Sequence, residues 1–143
     1  MNQNVSKIYA ARVVQASPRE LVAITYELII KEIEKAEYEY KEENKEKFVY
    51  YLKRAQRFLA HMMESLDYQY DISFDLLRLY LYINERIINS ICKLDSKELK
   101  NTKSILEKLK IGFKEISHQD KSSSVMENTT NLCRINLWER KIK

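Results

Sequence analysis

The sequence predicts an all-α protein: an antiparallel up-down four-helix bundle with an N-terminal arm and a C-terminal extension. The chain of 143 residues contains only one glycine and one proline, so it has little material for the tight turns of a β-sheet protein. Its apolar residues recur at alternating steps of three and four along four segments, which is the period of one helix face. Short connections between such long segments favour antiparallel neighbours.

The N-terminal arm is predicted to span residues 1–15, ahead of the bundle. Its apolar residues are Val5, Ile8, Tyr9, Val13 and Val14. This is too apolar for a free tail, so we expect the arm to cap the bundle.

The bundle is predicted to occupy residues 16–116, with helices at about 17–43, 45–66, 72–93 and 96–116. Its expected core stripes are, helix by helix, Val22, Tyr26, Ile29, Ile33, Ala36 and Tyr40; Phe48, Leu52, Ala55, Leu59, Met62 and Leu66; Leu76, Tyr80, Ile83, Ile87, Ile91 and Leu94; and Leu99, Thr102, Leu106, Leu109, Phe113 and Ile116.

Local signals mark the helix boundaries. Ser17 and Glu20 fit a capping box with Pro18 at the first helical position, and Asp95 with Glu98 offers the same arrangement. Two further boundary residues are predicted, a cap for the third helix and the break between the first and second, at Asp71 and Asn44. Gly112 lies inside the fourth helix, where close backbone approach and simple tolerance near a helix end are both open explanations.

The C-terminal extension is predicted to span residues 117–143, beginning with a hydrophilic link at 117–124. Apolar residues then return at Leu132, Ile135, Leu137 and Trp138. They predict either contacts of a tail that folds back on the bundle or a free tail that is apolar by chance.

Charge and hydropathy argue against several partners. The net charge of +4 comes from cations interspersed with anions, whereas a nucleic-acid binder clusters them on one face. Nucleic acid is therefore not an expected partner. No apolar run is long enough for a membrane span, and no signal peptide is recognised, so membrane insertion is not expected either. Cys92 and Cys133 fit free thiols in a reducing cytoplasm.

Catalytic constellations are not evident. The histidines, His61 and His118, have no nucleophile or metal partner nearby, and His61 is expected at the surface or boundary of the second helix. No glycine-rich phosphate loop or paired Glu-x-x-His motif occurs. We therefore expect no enzyme, no metal and no cofactor.

The ten tyrosines suggest a binding surface instead. Tyr80 and Tyr82 point about 200° apart on a helix, so they do not both face one core. Tyrosine is enriched at protein–protein interfaces, although each exposed tyrosine could equally lie at the boundary between the core and the surface of the bundle.

An ordered series of short motifs runs from Tyr9 to Ile116. The motifs are Tyr9; Ala16-Ser17-Pro18 with Leu21; Tyr26-Glu27; Arg54-Ala55; Ser65-Leu66-Asp67; Leu76; Leu79-Tyr80-Leu81-Tyr82; Arg86 with Asn89; and Asp95. In this order the chain resembles the FliS family of flagellin-specific export chaperones. It departs from the family at Thr25 and Leu28, where Leu and Gly are common, at Phe113, where Trp is frequent, and in the extension, which has no counterpart.

The resemblance implies a cytoplasmic, non-enzymatic chaperone that binds the disordered C-terminal region of flagellin. It implies that the protein prevents premature polymerisation and delivers flagellin to the flagellar type III export apparatus. The implied partners are that flagellin region and a component of the export gate; a weak homodimer is left open. The alternative is a helical adaptor or self-association bundle without a flagellin client.

Two flagellin contact regions are predicted from the motif positions and the surplus of apolar residues around them. The first comprises Ile8, Tyr9, Leu21, Ile24 and Tyr26. The second comprises Tyr80, Tyr82, Ile83, Arg86 and Ile87.

Overall fold

The computed structural model describes residues 3–119, and this part of the chain consists of helices without any strand. The helices are α1 (Gln3–Gln15), α2 (Pro18–Lys41), α3 (Lys45–Glu64), α4 (Asp71–Lys93) and α5 (Leu99–Gln119). The all-α prediction is confirmed. The N-terminal arm is itself a helix, and the last helix begins and ends three residues later than expected. The predicted extension lies outside the described residues from residue 120 onward.

The first two bundle boundaries form as predicted. At the start of α2, Glu20 N–H donates to Ser17 Oγ (3.2 Å), and Ser17 N–H donates to Glu20 Oε2 (3.3 Å). This closes the capping box with Pro18 as the first helical residue. Between α2 and α3, Asn44 Oδ1 accepts from Lys47 N–H (3.1 Å), so Asn44 is the N-cap of α3.

The predicted cap of α4 is wrong. Tyr70 occupies the N-cap position without a side-chain hydrogen bond, and Asp71 lies one residue inside the helix. Nearby, Asp67 Oδ1 accepts from Gln69 N–H (3.0 Å), while Asp67 O accepts from Ser73 Oγ–H. Asp67 therefore organises the turn that precedes α4.

The predicted capping box of Asp95 and Glu98 before α5 does not form. Asp95 Oδ1 accepts from Lys97 N–H (3.0 Å), but Asp95 N–H donates to Ser90 O (3.1 Å). The Glu98 carboxylate pairs with Arg86 instead of turning back to Asp95. The regular helix begins only at the following residue.

Helix α2 is the centre of the fold because it packs against both α3 and α5, while α4 also contacts α3 and α5. On the α5 side, Glu37 pairs with Lys103 and Glu27 with Lys114, so these two helices run in opposite directions. Most members of the predicted stripes are buried in one core cluster. Among their described members, Tyr40 and Leu94, both next to helix ends, are exposed.

Candidate binding surfaces

The first predicted contact region is largely covered by α1. Leu21 and Ile24 are buried in a small cluster with Val13 of α1, and Tyr9 packs against its edge. Ile8 is on the outside of α1, with 60% of its surface exposed. The region therefore combines an exposed outer layer with an apolar patch of α2 that α1 covers.

An ionic cluster joins α1 to the bundle beside this patch. Arg12 donates to both carboxylate oxygens of Glu27 (2.9 and 3.3 Å), and Lys114 Nζ of α5 lies 3.4 Å from Glu27 Oε1. Partial burial raises the pKa of Glu27, but the hydrogen bonds and charges of Arg12 and Lys114 outweigh it, so the pKa lies below its ordinary value. The hydrogen bond to Glu27 also raises the pKa of Arg12. The cluster fastens α1 to α2 and α5.

Tyr26 and Tyr80 bring the two predicted regions together inside the core. Both side chains are fully buried, and their hydroxyl oxygens are 2.5 Å apart. The Tyr26 ring centre lies 6.3 Å from that of Tyr80 and 5.7 Å from that of Phe113 in α5. Ile83 and Ile87 are also fully buried. These four predicted contact residues thus hold α2, α4 and α5 together and have no access to a partner in this conformation.

Tyr82 and Arg86, the remaining predicted residues on α4, lie at the surface. Tyr82 is exposed, and the Arg86 guanidinium lies 5.0 Å from the centre of its ring. Arg86 also pairs with Glu98 (3.3 Å). Together they form a cation–π pair that a partner on this side of α4 would meet.

A second apolar row on α4 was missed from the sequence. Phe74, Leu81 and Ile88 are 47%, 50% and 41% exposed and lie seven residues apart, so they share one face. We call these three residues the α4 strip. Leu77, half-buried, lies between its first two members. The signal was present in the sequence as a seven-residue spacing, but the core stripe of the same helix masked it.

The α4 strip lies toward the α3 side of the helix. Gln56 of α3 donates to Asn84 Oδ1 of α4 (2.9 Å), and Asn84 lies between Leu81 and Ile88 along the chain. At the other end the Phe74 ring centre is 5.4 Å from that of Tyr68 in the preceding turn. The strip is therefore exposed along α4, on the side of the helix where Asn84 reaches α3.

The remaining predictions concern chemistry and the extension. His61, expected at the surface or boundary of α3, is instead buried beside the core. No group of three or more His, Cys, Asp or Glu residues within the described part of the chain is arranged to hold a metal ion. Within residues 3–119, no helix is both long enough and apolar enough to pass through a bilayer. The predicted tail contacts, Leu132, Ile135, Leu137 and Trp138, lie outside the described residues.

Comparison with known families identifies the family to which the chain is similar. The model of the family described as flagellar protein FliS matches residues 1–120, all five helices included. No curated protein matches the chain.

Proposed function

The chain belongs to the FliS family of flagellar proteins, and from this premise we propose that it is a cytoplasmic export chaperone for flagellin. The FliS family is one of chaperones rather than enzymes. The proposed client is the disordered C-terminal region of flagellin, which the protein shields from premature polymerisation. It then delivers the client to the flagellar type III export apparatus, where a component of the export gate receives it.

The observation that carries this proposal is the α4 strip. Three large apolar side chains, each close to half exposed, line one face of a helix over about 21 Å. A surface of this shape accepts the apolar face of an amphipathic segment that has no partner of its own. Such a segment loses conformational entropy on binding, so a long contact is needed for useful affinity. Tyr82 and Arg86 extend the surface around α4.

The patch under α1 is the second proposed client surface. Leu21 and Ile24 pack in one small cluster with Val13 of α1. Tyr9 of α1 borders this cluster, as do Ala16, Leu28 and Phe58. A client segment that takes the place of α1 would gain this apolar patch, and Ile8 and Tyr9 would move with the displaced helix. For Tyr26, Tyr80, Ile83 and Ile87 we propose a supporting role, because their burial fixes the position of α4.

For helices α2–α5 we propose the up-down course of an antiparallel four-helix bundle. Two observations support it. The ion pairs between α2 and α5 set those helices antiparallel. Arg86, in the second half of α4, pairs with Glu98 just before α5, as expected if the chain reverses between them.

A titration with a peptide from the flagellin C-terminal region tests the function. We expect a 1:1 complex by calorimetry and a large loss of affinity in Leu81→Glu, because a charge would then lie in the middle of the α4 strip. Ile111→Glu is the matched control, since Ile111 is an aliphatic residue of α5 with similar exposure, 52%. Its affinity should match that of the unmodified protein.

The same titration separates the chaperone from the alternative adaptor bundle. An adaptor without a flagellin client would not bind the peptide and would self-associate instead. Absence of peptide binding, or equal binding by Leu81→Glu and the unmodified protein, would contradict the proposed use of the α4 strip.

A further inference from the structure

The α4 strip has a candidate occupant in the same chain, and we propose that residues 132–138 cover it when no client is bound. This is a contact within one molecule that does not require a client. Its consequence for client affinity rests on the proposed function.

The end of α5 is well placed for this contact. Phe113 of α5 and Tyr80 of α4 both contact the ring of Tyr26, so they lie at a similar height in the fold. Gln119, the last described residue, follows Phe113 by six residues, or about 9 Å of helix. In the up-down course proposed above, α5 ends beside the first turns of α4, at about the height of Phe74.

The intervening chain is long enough to reach every part of the strip. Residues 120–131 comprise twelve residues, whose extended length is up to about 40 Å. The strip from Phe74 to Ile88 is about 21 Å long. Residues 132–138 can therefore reach the strip from end to end.

The composition of the segment matches the surface. Four of its seven residues are large and apolar, namely Leu132, Ile135, Leu137 and Trp138. Three half-exposed side chains present on the order of 300 Å² of apolar surface. A stable interface between two proteins needs roughly 800 Å² from each partner, so the strip is too small to hold a second copy by itself. A short segment of the same chain needs less area.

Tethering makes up for the small contact. A segment held by a short linker has an effective concentration of about 1 mM at its site, far above that of another molecule in dilute solution. A weak apolar contact is then sufficient to keep the strip covered. A client must displace the segment, which lowers its apparent affinity by the fraction of molecules with an open strip.

Trp138 provides the test, because it is the only tryptophan of the chain. In the full-length protein without client, we expect Trp138 emission at short wavelength and weak quenching by acrylamide. Leu81→Glu should shift the emission to longer wavelength and strengthen the quenching. Ile111→Glu, the control, should leave both unchanged, and circular dichroism should show the same helix content in all three proteins.

Two outcomes would overturn the proposal. One is that acrylamide fully quenches Trp138 in the unmodified protein, or that the emission wavelength of Trp138 is the same in Leu81→Glu. The other is shielding that grows with protein concentration, which would assign the cover to a second copy. Neither outcome depends on flagellin, so the proposal can fail while the proposed function stands.

The consequence for the client has its own measurement. The double variant Ile135→Ser/Leu137→Ser leaves the α4 strip intact but removes apolar side chains from the covering segment. If the strip is open one tenth of the time, the variant should bind the flagellin peptide about tenfold more tightly. Unchanged affinity would show that the segment does not compete with the client.

Discussion

Gly112 shows how a single residue can lower stability without a structural role. It lies inside α5, and a Cβ atom placed on it would meet nothing within 4 Å among the described residues. Of the two explanations left open by the sequence, close approach of another described segment is therefore wrong. Glycine inside a helix costs about 1 kcal/mol relative to alanine because it restricts the unfolded chain least.

We predict that Gly112→Ala raises the free energy of unfolding by about 1 kcal/mol, because alanine lowers the conformational entropy of the unfolded chain and its Cβ meets no clash. Urea denaturation followed by circular dichroism measures the change. The exposed Ser104 of the same helix supplies the control, because Ser104→Gly should lower stability by about 0.5 kcal/mol. A loss of stability in Gly112→Ala would mean that the space beside it is occupied.

The buried hydroxyl pair of Tyr26 and Tyr80 supports a second prediction at this scale. Both side chains are fully buried and their hydroxyl oxygens are in hydrogen-bond contact. Tyr80→Phe should lower the free energy of unfolding by about 1–3 kcal/mol, because a buried hydrogen bond is lost. Changing both tyrosines to Phe should cost less than the sum of the single changes, since the two groups are coupled.

The same variants separate support from direct contact. If Tyr80 only positions α4, Tyr80→Phe lowers stability in urea but leaves peptide affinity nearly unchanged at temperatures where the protein is folded. If Tyr80→Phe instead weakened peptide binding without lowering the free energy of unfolding, Tyr80 would be a direct client contact.

At the scale of the element, the described contacts of α1 with the bundle are one small apolar cluster and one ionic cluster. Val13 packs on Leu21 and Ile24, and Arg12 bridges to Glu27, which Lys114 also contacts. Partly exposed ion pairs contribute up to about 1 kcal/mol. Loosening the cluster should therefore free α1 without unfolding the other helices.

We predict that Glu27→Gln speeds trypsin cleavage after Arg12 by up to about fivefold, the factor that corresponds to 1 kcal/mol. The cause is that the amide lacks the charge that holds the Arg12 guanidinium. Mass spectrometry of the cleavage products over time measures the rate. Glu34→Gln, which changes an exposed carboxylate on the same helix, should leave the rate unchanged. Equal rates in the two variants would assign the docking of α1 to the apolar contacts of Val13 and Tyr9.

The lowered pKa of Glu27 gives this contact a pH dependence. A carboxylate whose pKa is lower in the docked state stabilises that state fully above its ordinary pKa, about 4.3. The contribution is lost as the pH falls through the lowered pKa. The amide chemical shifts of α1 should therefore change between about pH 5 and pH 3 in the unmodified protein and less in Glu27→Gln.

The helices also show which parts of the structure could be predicted from the sequence. The capping box of Ser17 and Glu20 depends on residues within one turn, so local pattern predicted it correctly. The predicted box at Asp95 was wrong: Asp95 accepts from the N–H of Lys97, and the Glu98 carboxylate binds Arg86, twelve residues earlier, across the link. The local sequence pattern around Asp95 could not show that Arg86 would compete with the Asp95 N–H for the Glu98 carboxylate.

At the scale of the whole molecule, the predicted site depended on which face of α4 meets the core. Two apolar rows share this helix, one with Ile83 and Ile87 and one with Leu81 and Ile88. The sequence alone identifies both rows but not which of them faces the core, because the packing of α4 against α3 and α5 decides this. The motifs that indicated the family include Tyr26 and Tyr80, which are buried in the core. Because the binding region was predicted from the motif positions, it included residues that support the fold.

The central position of α2 predicts a gradient of local stability across the molecule. Helix α2 packs along both α3 and α5, and Ile29 and Ile33 in its middle are fully buried. Of the residues of α1 whose side chains are described, only Val13 is a buried member of an apolar cluster. Amides open with free energies that follow such burial, from near zero for a lightly held segment up to the global value in the core.

Hydrogen–deuterium exchange followed by mass spectrometry should therefore find the slowest exchange in peptides around Ile29 and Ile33 and the fastest helical exchange in α1. Bound flagellin peptide should slow exchange in α4, because the strip with Leu81 becomes covered. If the client takes the place of α1, exchange in α1 should rise in the same sample while exchange in α4 falls. Protection of α1 and α4 together would show instead that the client binds over α1 and leaves Leu21 and Ile24 covered as they are.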